Sequence, residues 1–299
     1  MLAVWSFWTK PFRHHHHRVW ASEKHHLLAW VLSVETARPH FERTVLITDD
    51  EGARMLIDGV GLRFDQVWPL LNVLDDEDPL WWSLGKLFAY RAQTEPFVHI
   101  DSDCFLWKPL PARMLEADVL AQSPERFDWG GGSYYHPEAL PPVIAAERGW
   151  LPDALAWYLS IQGNAALNCG VFGGNNLEFI RGYADQAIHM VQHPANREVW
   201  RHFGDRISEN LIAEQYLLAA CIDDARARGV GLDVQYLFES TDRAFEPGLA
   251  ARAGFTHLIG LAKADPDLAR RLDRRIRHDY PEYYARCAAY RNRTLQEVG

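Results

Sequence analysis

The feature that most constrains the fold is an alternation of short apolar runs with helix-like stretches in the first third of the chain. Four apolar runs predict β-strands, at residues 2–8, 44–48, 64–71 and 96–100. Helices are predicted at 22–38, which Ser22 opens, and at 81–93. Strands that alternate with helices pair in parallel, so the sequence predicts an α/β fold with a Rossmann-like, mainly parallel central sheet flanked by helices.

The second half of the chain is less regular. Further strands are predicted at 118–123, 167–174, 232–238 and 256–260, and helices at 176–193 and 208–228. Glycines 130–132 and the prolines between 137 and 142 predict a long loop between the strands at 118–123 and 167–174. The Arg- and Tyr-rich tail predicts two amphipathic helices. We therefore expect one elaborated α/β domain over residues 1–265 and a helical extension over 266–299.

Composition excludes several classes of function. The formal charge of −9 argues against nucleic acid as the main partner, because binding to a phosphate backbone requires a basic face. No apolar run approaches the roughly 20 residues that a transmembrane helix needs. The four cysteines are scattered and show no metal-binding or disulfide pattern. The apolar N-terminal stretch lacks the features of a signal peptide, so we expect a cytoplasmic protein.

Two aspartates follow the fourth predicted strand, in the stretch "FVHIDSDCF". Asp101 and Asp103, with Ser102 between them, would lie at the carboxyl end of a strand, where open α/β sheets bind ligands. Two such carboxylates can share Mg²⁺ or Mn²⁺, and the ion can bridge the oxygens of a diphosphate. The alternative is a polar turn that ends the strand, because short motifs often match by accident.

A second motif, "HLIGLAK", provides groups that complement the two aspartates. The imidazole of His257 is a suitable third ligand for a divalent ion. Gly260 allows the backbone to approach a phosphate closely, and Lys263 supplies a positive charge. Alternatively, His257 is a histidine with ordinary structural hydrogen bonds.

Polar residues in two other predicted elements are further candidates. Asn168 belongs to "LNCGVFGG", where its amide could bind a sugar or an acceptor. Glu214 and Gln215 interrupt the otherwise apolar helix "SENLIAEQYLLAA". The alternative for this pair is an exposed helical face.

The ordered set "HIDSD", "NCGVFGG", "EQYLLA" and "HLIGLAK" resembles the GT-A nucleotide-sugar glycosyltransferases, especially the retaining group that includes glycogenin and bacterial lipooligosaccharide galactosyltransferases. The chain is also similar to a group of bacterial proteins with "WSFW" openings and "PFxHxDSD" cores. The resemblance covers roughly residues 1–265. It implies a GT-A fold and Mn²⁺- or Mg²⁺-dependent transfer of a sugar from a nucleoside-diphosphate donor, with a UDP-sugar favoured, to an unknown acceptor. Retention is the expected stereochemical course.

The resemblance also implies roles for individual residues. The metal ligands would be Asp101, Asp103 and His257, and Gly260 and Lys263 would clamp the diphosphate. The remaining donor-binding residues would be Ser6, Trp8, Lys86 and Ser102.

For the catalytic positions, the resemblance and the chemistry leave two courses open. An inverting reaction needs a base on the acceptor hydroxyl, for which Glu214 is the first candidate. In a retaining reaction Asn168 and Gln215 would position the reactants. The chain departs from the family at Glu214, where aspartate is usual, and at Ala264 and Asp265, which replace a Pro-Trp pair.

Two other functions fit parts of the same pattern. Haloacid-dehalogenase-type phosphatases also carry an Asp-x-Asp after an apolar strand, but on their first strand, whereas here three predicted strands precede the strand that ends at Asp101. A non-catalytic GT-A domain that binds a nucleotide sugar is the other alternative. The run "RHHHHR" at 13–18 predicts a loop, and its basic neighbourhood could hold donor phosphates through Lys10, Arg13, Arg18 and Lys24.

Overall fold

The computed structural model describes residues 1–14, 19–132 and 134–294, with side chains described as far as residue 290. The described residues form strands β1 (Leu2–Phe7), β2 (Arg43–Thr48), β3 (Gln66–Trp68), β4 (Phe97–Ile100), β5 (Cys104–Leu106), β6 (Val119–Arg126), β7 (Ala165–Gly174), β8 (Val234–Tyr236) and β9 (Phe255–His257).

The α-helices are α1 (Thr9–His14), α2 (Glu23–Ala37), α3 (Asp50–Ala53), α4 (Ser83–Arg91), α5 (Ala112–Leu115), α6 (Leu140–Glu147), α7 (Asp153–Ser160), α8 (Leu177–Gln192), α9 (Arg197–Arg201), α10 (Ile207–Leu211), α11 (Leu217–Ala227), α12 (Thr241–Ala244), α13 (Pro247–Ala253), α14 (Pro266–Asp279) and α15 (Pro281–Thr294). Residues Arg54–Val60 and Ile212–Tyr216 form π-helical turns. Short 3-10 turns occupy Arg38–His40, Leu70–Leu74, Pro137–Ala139, Pro194–Asn196 and Gly260–Ala264.

The chain divides into two compact units. The first unit comprises Met1–Pro79, His99–Leu110 and the chain from Ala251 onward, and the second comprises Leu80–Val98 and Pro111–Ala250. Helices α14 and α15, which the sequence predicts as an extension from residue 266, pack on α2 and belong to the first unit.

Parallel strands in the order β3-β2-β1 form the sheet of the first unit. Leu2 pairs with Arg43 and Phe7 pairs with Thr48, so β1 and β2 run in register over their whole length. The predicted strands at 2–8 and 44–48 are confirmed, and the third strand is shorter than predicted. Ser22 is the N-cap of α2 and accepts a hydrogen bond from the backbone N–H of His25, as its position in the sequence indicates.

In the second unit, β6 lies between β7 and β8. β6 pairs in parallel with β8 but antiparallel with β7, with Leu120 opposite Gly173 and Arg126 opposite Ala165. The protein is therefore α/β with mostly parallel strands, as predicted, and β6–β7 is an antiparallel exception. None of the described helices combines the length and the apolar character needed to cross a membrane.

The predicted loop between β6 and β7 is wrong in part, because helices α6 and α7 lie within it. Pro141 and Pro142 stand in the first turn of α6, where proline removes no intrahelical hydrogen bond. The loop predicted at 13–18 is wrong at Arg13 and His14, which end helix α1, and its remainder lies outside the described residues. The predicted helix at 208–228 is confirmed, although the π-helical turn interrupts it.

Candidate functional site

The first candidate site is built on the turn that joins β4 to β5 in the first unit. The backbone N–H of Cys104 donates to the carbonyl of Asp101 over 2.9 Å. The same carbonyl accepts from the hydroxyl of Ser33 over 3.0 Å, and Ser33 accepts from the indole N–H of the buried Trp5 over 2.9 Å. A chain of hydrogen bonds thus fixes the turn to the core.

Pairing between β5 and β9 brings His257 to this turn. The two short strands are antiparallel, with Cys104 directly opposite His257. The backbone N–H of Leu258 donates to the carbonyl of Asp103 over 3.0 Å. As a result, Nε2 of His257 lies 3.5 Å from Oδ1 of Asp103, with both side chains almost entirely buried.

Lys263 reaches the same carboxylate from the 3-10 turn that follows β9. Its Nζ lies 2.6 Å from Oδ2 of Asp103 and 5.9 Å from the centre of the Trp20 ring. Burial alone would raise the pKa of Asp103 and lower that of Lys263. Their mutual attraction outweighs burial, so the pKa of Asp103 is lowered, with a further contribution from His257, and the pKa of Lys263 is raised. The pair is charged at neutral pH.

The side chains around Asp103 provide a set of potential metal ligands. Ligand atoms of Asp103, Cys104 and His257 all lie within 4.8 Å of one another. The carboxylate of Asp101 is outside this group, and its Oδ1 lies 3.7 Å from Nδ1 of His99. Carboxylate and imidazole suit Mn²⁺, whereas a thiol is a softer ligand that suits zinc or copper. The structure thus brings Asp103 and His257 together, and Asp101 stands on the same turn.

The backbone at Gly260 is open to a ligand. Its φ is +55°, in the left-handed region that favours glycine, and nothing lies within 4 Å of the position of an added Cβ. Lys263 follows within the same turn, so a positive charge accompanies this open stretch of backbone. Ser102 is half-buried in the turn between the two aspartates.

Of the two donor-binding residues predicted in the first strand, Ser6 contacts β4 shortly before the same turn. The hydroxyl of Ser6 is 2.9 Å from Nε2 of His99 and forms a hydrogen bond with it. Trp8 is only 5% exposed, and its indole N–H has no hydrogen-bond partner among the described residues. An unsatisfied buried donor is costly in a protein interior, so a ligand acceptor would stabilise this position.

Basic residues near the N-terminus are engaged by the protein itself. Lys10 donates to the carbonyls of Asp75 and Glu77 over 2.5 and 2.6 Å. Arg13 pairs with Glu51 beside a cavity of about 430 Å³. Lys24 pairs with Asp273 over 2.7 Å, and Arg18 lies outside the described residues.

The second unit contains its own polar cluster around Glu214. This carboxylate is fully buried in the π-helical turn, and its Oε1 lies 2.5 Å from Nζ of Lys86. The hydroxyl of Tyr90 also donates to Oε1, over 3.0 Å. The interpretation of Glu214 as part of an exposed helical face is therefore wrong. π-helical turns inside helices occur frequently at functional sites.

Glu125 on β6 is a polar residue that the sequence reasoning missed. It accepts a hydrogen bond from the amide of Asn168 over 2.8 Å and from the hydroxyl of Thr241 over 3.1 Å. The hydroxyl of Tyr135 contacts both Glu125 and Gln215, and burial next to Glu125 raises the pKa of Tyr135. The available signal was a carboxylate at the end of an apolar strand, which is common and weak.

Comparison with known proteins gives one family, and the match to its model covers both candidate sites. A search of curated proteins found no match to the chain. The model of a "Family of unknown function (DUF6734)" matches residues 1–290, which include every candidate residue from Ser6 to Lys263. The chain therefore belongs to DUF6734, a family of unknown function.

Proposed function

We propose that this protein is a metal-dependent glycosyltransferase that moves a sugar from a nucleoside-diphosphate donor to an acceptor hydroxyl. The observation that carries the proposal is the convergence of Asp103, His257 and Lys263 within the first unit. These residues come from a strand-joining turn, a short strand and a 3-10 turn. Together they supply two ligand types for a divalent ion and a cation for a diphosphate.

The chemistry of the side chains fits the expected metal. Asp103 and His257 would hold Mn²⁺ or Mg²⁺, with Asp101 as a further carboxylate on the same turn. The imidazole favours Mn²⁺, because Mg²⁺ prefers oxygen ligands alone. When bound, the metal would neutralise negative charge on the departing diphosphate.

The protein's own residues would bind and orient that diphosphate. Lys263 now neutralises the carboxylate of Asp103, and a phosphate oxygen would accept from the same ammonium group. Gly260 offers open backbone within the same turn. Trp8, with its unsatisfied indole N–H, is a donor for a carbonyl on the nucleotide base.

In the reaction, the bond from the anomeric carbon to the diphosphate oxygen breaks, a bond to the acceptor oxygen forms, and the proton of the acceptor hydroxyl passes to the departing diphosphate. The position of Glu214 supports the retaining course, since a fully buried carboxylate paired with Lys86 is poorly suited to act as a base on an acceptor. In a retaining reaction Asn168 and Gln215 stay predicted to position the reactants, and Glu125 holds the amide of Asn168 through a hydrogen bond of 2.8 Å. Contact of Lys86 with the donor stays a prediction.

Thermal-shift measurements with nucleoside diphosphates and Mn²⁺ test the donor site. We expect one nucleotide to stabilise the protein only when Mn²⁺ is present, and Asp103→Ala and His257→Ala each to abolish this stabilisation. Asp58→Ala is the matched control, because Asp58 is an exposed carboxylate of the same unit. Full nucleotide-dependent stabilisation in Asp103→Ala would refute the assignment.

Donor hydrolysis separates the alternatives. Release of the nucleoside diphosphate from a nucleotide sugar, lost in Asp103→Ala and kept in Asp58→Ala, is the expected result. Metal-dependent binding without turnover of any donor would instead identify a non-catalytic nucleotide-sugar-binding domain. Mass-spectrometric detection of an aspartyl-phosphate at Asp101 would replace the proposal with a phosphatase.

A further inference from the structure

A groove of about 680 Å³ runs beside helix α14 in the first unit. Its volume is in the range of small-molecule pockets, about 300–1,000 Å³. The apolar side chains of its lining come from α2, from the segments around β5 and β9, and from α14 itself: Leu32, Phe105, Trp107, Leu258, Leu268 and Leu272.

One side of the groove is strongly basic. Arg271, Arg274, Arg275 and His278 line it, at spacings that place them along one side of a helix. Asp279 is the acidic member of the lining, and Arg275 pairs with it while stacking over the ring of Trp107 at 4.8 Å. Such a concentration of positive charge is notable in a chain whose formal charge is −9.

Two of these arginines have no partner among the described residues. Arg271 and Arg274 are exposed, and neither forms an ion pair or a side-chain hydrogen bond with any described residue. The other arginines of α14 are engaged, since Arg275 pairs with Asp279, Arg270 pairs with Asp267 and Arg277 donates to the hydroxyl of Tyr284 over 2.6 Å. The guanidinium groups of Arg271 and Arg274 are therefore available to an external anion.

We propose that this groove binds a single-chain anionic amphiphile, with its alkyl chain on the apolar lining and its carboxylate or phosphate at Arg271 and Arg274. Guanidinium groups bind both kinds of acid through paired, charge-assisted hydrogen bonds. The inference concerns the C-terminal helices, is separate from the proposed sugar transfer and does not depend on it.

The shape of the groove favours one enclosed molecule over a membrane surface. A helix that lies on a membrane presents its apolar face outward. Here Phe105 is only 4% exposed, Leu258 9% and Leu272 6%, so the apolar groups form a recessed floor. Trp107, at 37% exposed, stands at the edge and would be covered by the ligand.

Titration with decanoate and decyl phosphate below their micelle-forming concentrations tests the proposal, with tryptophan fluorescence and calorimetry as readouts. We expect saturable binding of both, and clearly weaker binding of the neutral decyl glucoside. Arg271→Gln with Arg274→Gln should weaken binding at least about tenfold, since each lost charge-assisted hydrogen bond is worth roughly that factor. Arg270→Gln with Arg277→Gln removes the same charge from the same helix and should leave binding nearly unchanged.

Two further variants test the position of the alkyl chain. Trp107→Phe should remove most of the fluorescence change while calorimetric binding persists. Leu268→Asp, in contrast, should abolish binding, because it places a negative charge in the groove, at a first-turn position where a helix tolerates it. Circular dichroism confirms that each variant is folded.

Three results would overturn the inference. Equal weakening by the two double-arginine variants would indicate nonspecific attraction to the helix. Equal affinity for decyl glucoside would exclude a role for the arginines. Binding to phosphatidylglycerol vesicles without binding of monomeric decanoate or decyl phosphate would identify a membrane-contacting surface instead.

Discussion

Replacing Lys263 with methionine is the sharpest test of how the candidate donor site is held together. The substitution keeps the length and apolar stem of the side chain but removes the ammonium group 2.6 Å from Oδ2 of Asp103. The Asp103 side chain is only 8% exposed, so water replaces the lost partner poorly. Removing one partner of a buried ion pair typically costs about 3–5 kcal/mol of unfolding free energy.

We expect a value near the lower limit, about 3 kcal/mol, for two reasons. The substitution also removes the cost of burying the Lys263 ammonium group away from water, and His257 stays 3.5 Å from the carboxylate as a second partner. Urea unfolding at neutral pH measures the loss. Adding Asp103→Asn to Lys263→Met should recover much of it, because a neutral amide needs no counter-charge, and the cycle should give a coupling of about 2 kcal/mol.

The pH dependence has a defined sign. Because folding lowers the pKa of Asp103 below its ordinary value of 3.8, the contribution of the pair is fully present above that pH. It declines as the pH falls from 3.8 toward the folded-state pKa. The difference between the native protein and Lys263→Met should therefore shrink in acid. A loss under about 0.5 kcal/mol at neutral pH, typical of an exposed pair, would refute this reasoning.

Two further substitutions test packing and charge in the second unit. Gly173→Ala should cost more than about 3 kcal/mol of unfolding free energy, because the new Cβ would lie 2.0 Å from the carbonyl oxygen of Phe97. The control Gly182→Ala should be tolerated, since nothing lies within 4 Å of its added Cβ. Urea unfolding compares the two variants. Glu214→Gln removes the charge opposite Lys86 and should cost about 3 kcal/mol by the same assay. Unchanged stability in the glutamine variant would mean that Lys86 finds another partner.

The two candidate clusters are positioned by different means. In the first unit, backbone hydrogen bonds and strand pairing fix Asp103 and His257, so their separation depends on main-chain geometry. In the second unit, Glu125 and Glu214 are held mainly by side-chain hydrogen bonds and an ion pair. Conservative substitutions should therefore perturb the second cluster more readily than the first.

Much of the local structure could be predicted from the sequence alone. The strands at β1 and β2, helix α2 with its Ser22 cap and the two helices of the tail were all predicted. These features depend on residues that are close together in the chain, because they arise from the periodicity of the side chains and from the hydrogen bonds at helix ends. Pro141 and Pro142 misled the prediction, because proline also occurs in the first turn of a helix.

For the candidate sites, the sequence identified the residues that could carry the chemistry, but only the tertiary structure determined which of them contact one another. The motif order placed Asp101, Asp103, His257 and Lys263 in one hypothesis, but the register of β5 with β9 determined which carboxylate meets the imidazole. The burial of Glu214 against Lys86 and the contacts of Glu125 depend on packing between distant segments. Local interactions act between neighbours along the chain and leave a signal in its sequence, whereas register and burial arise only when the whole chain is folded.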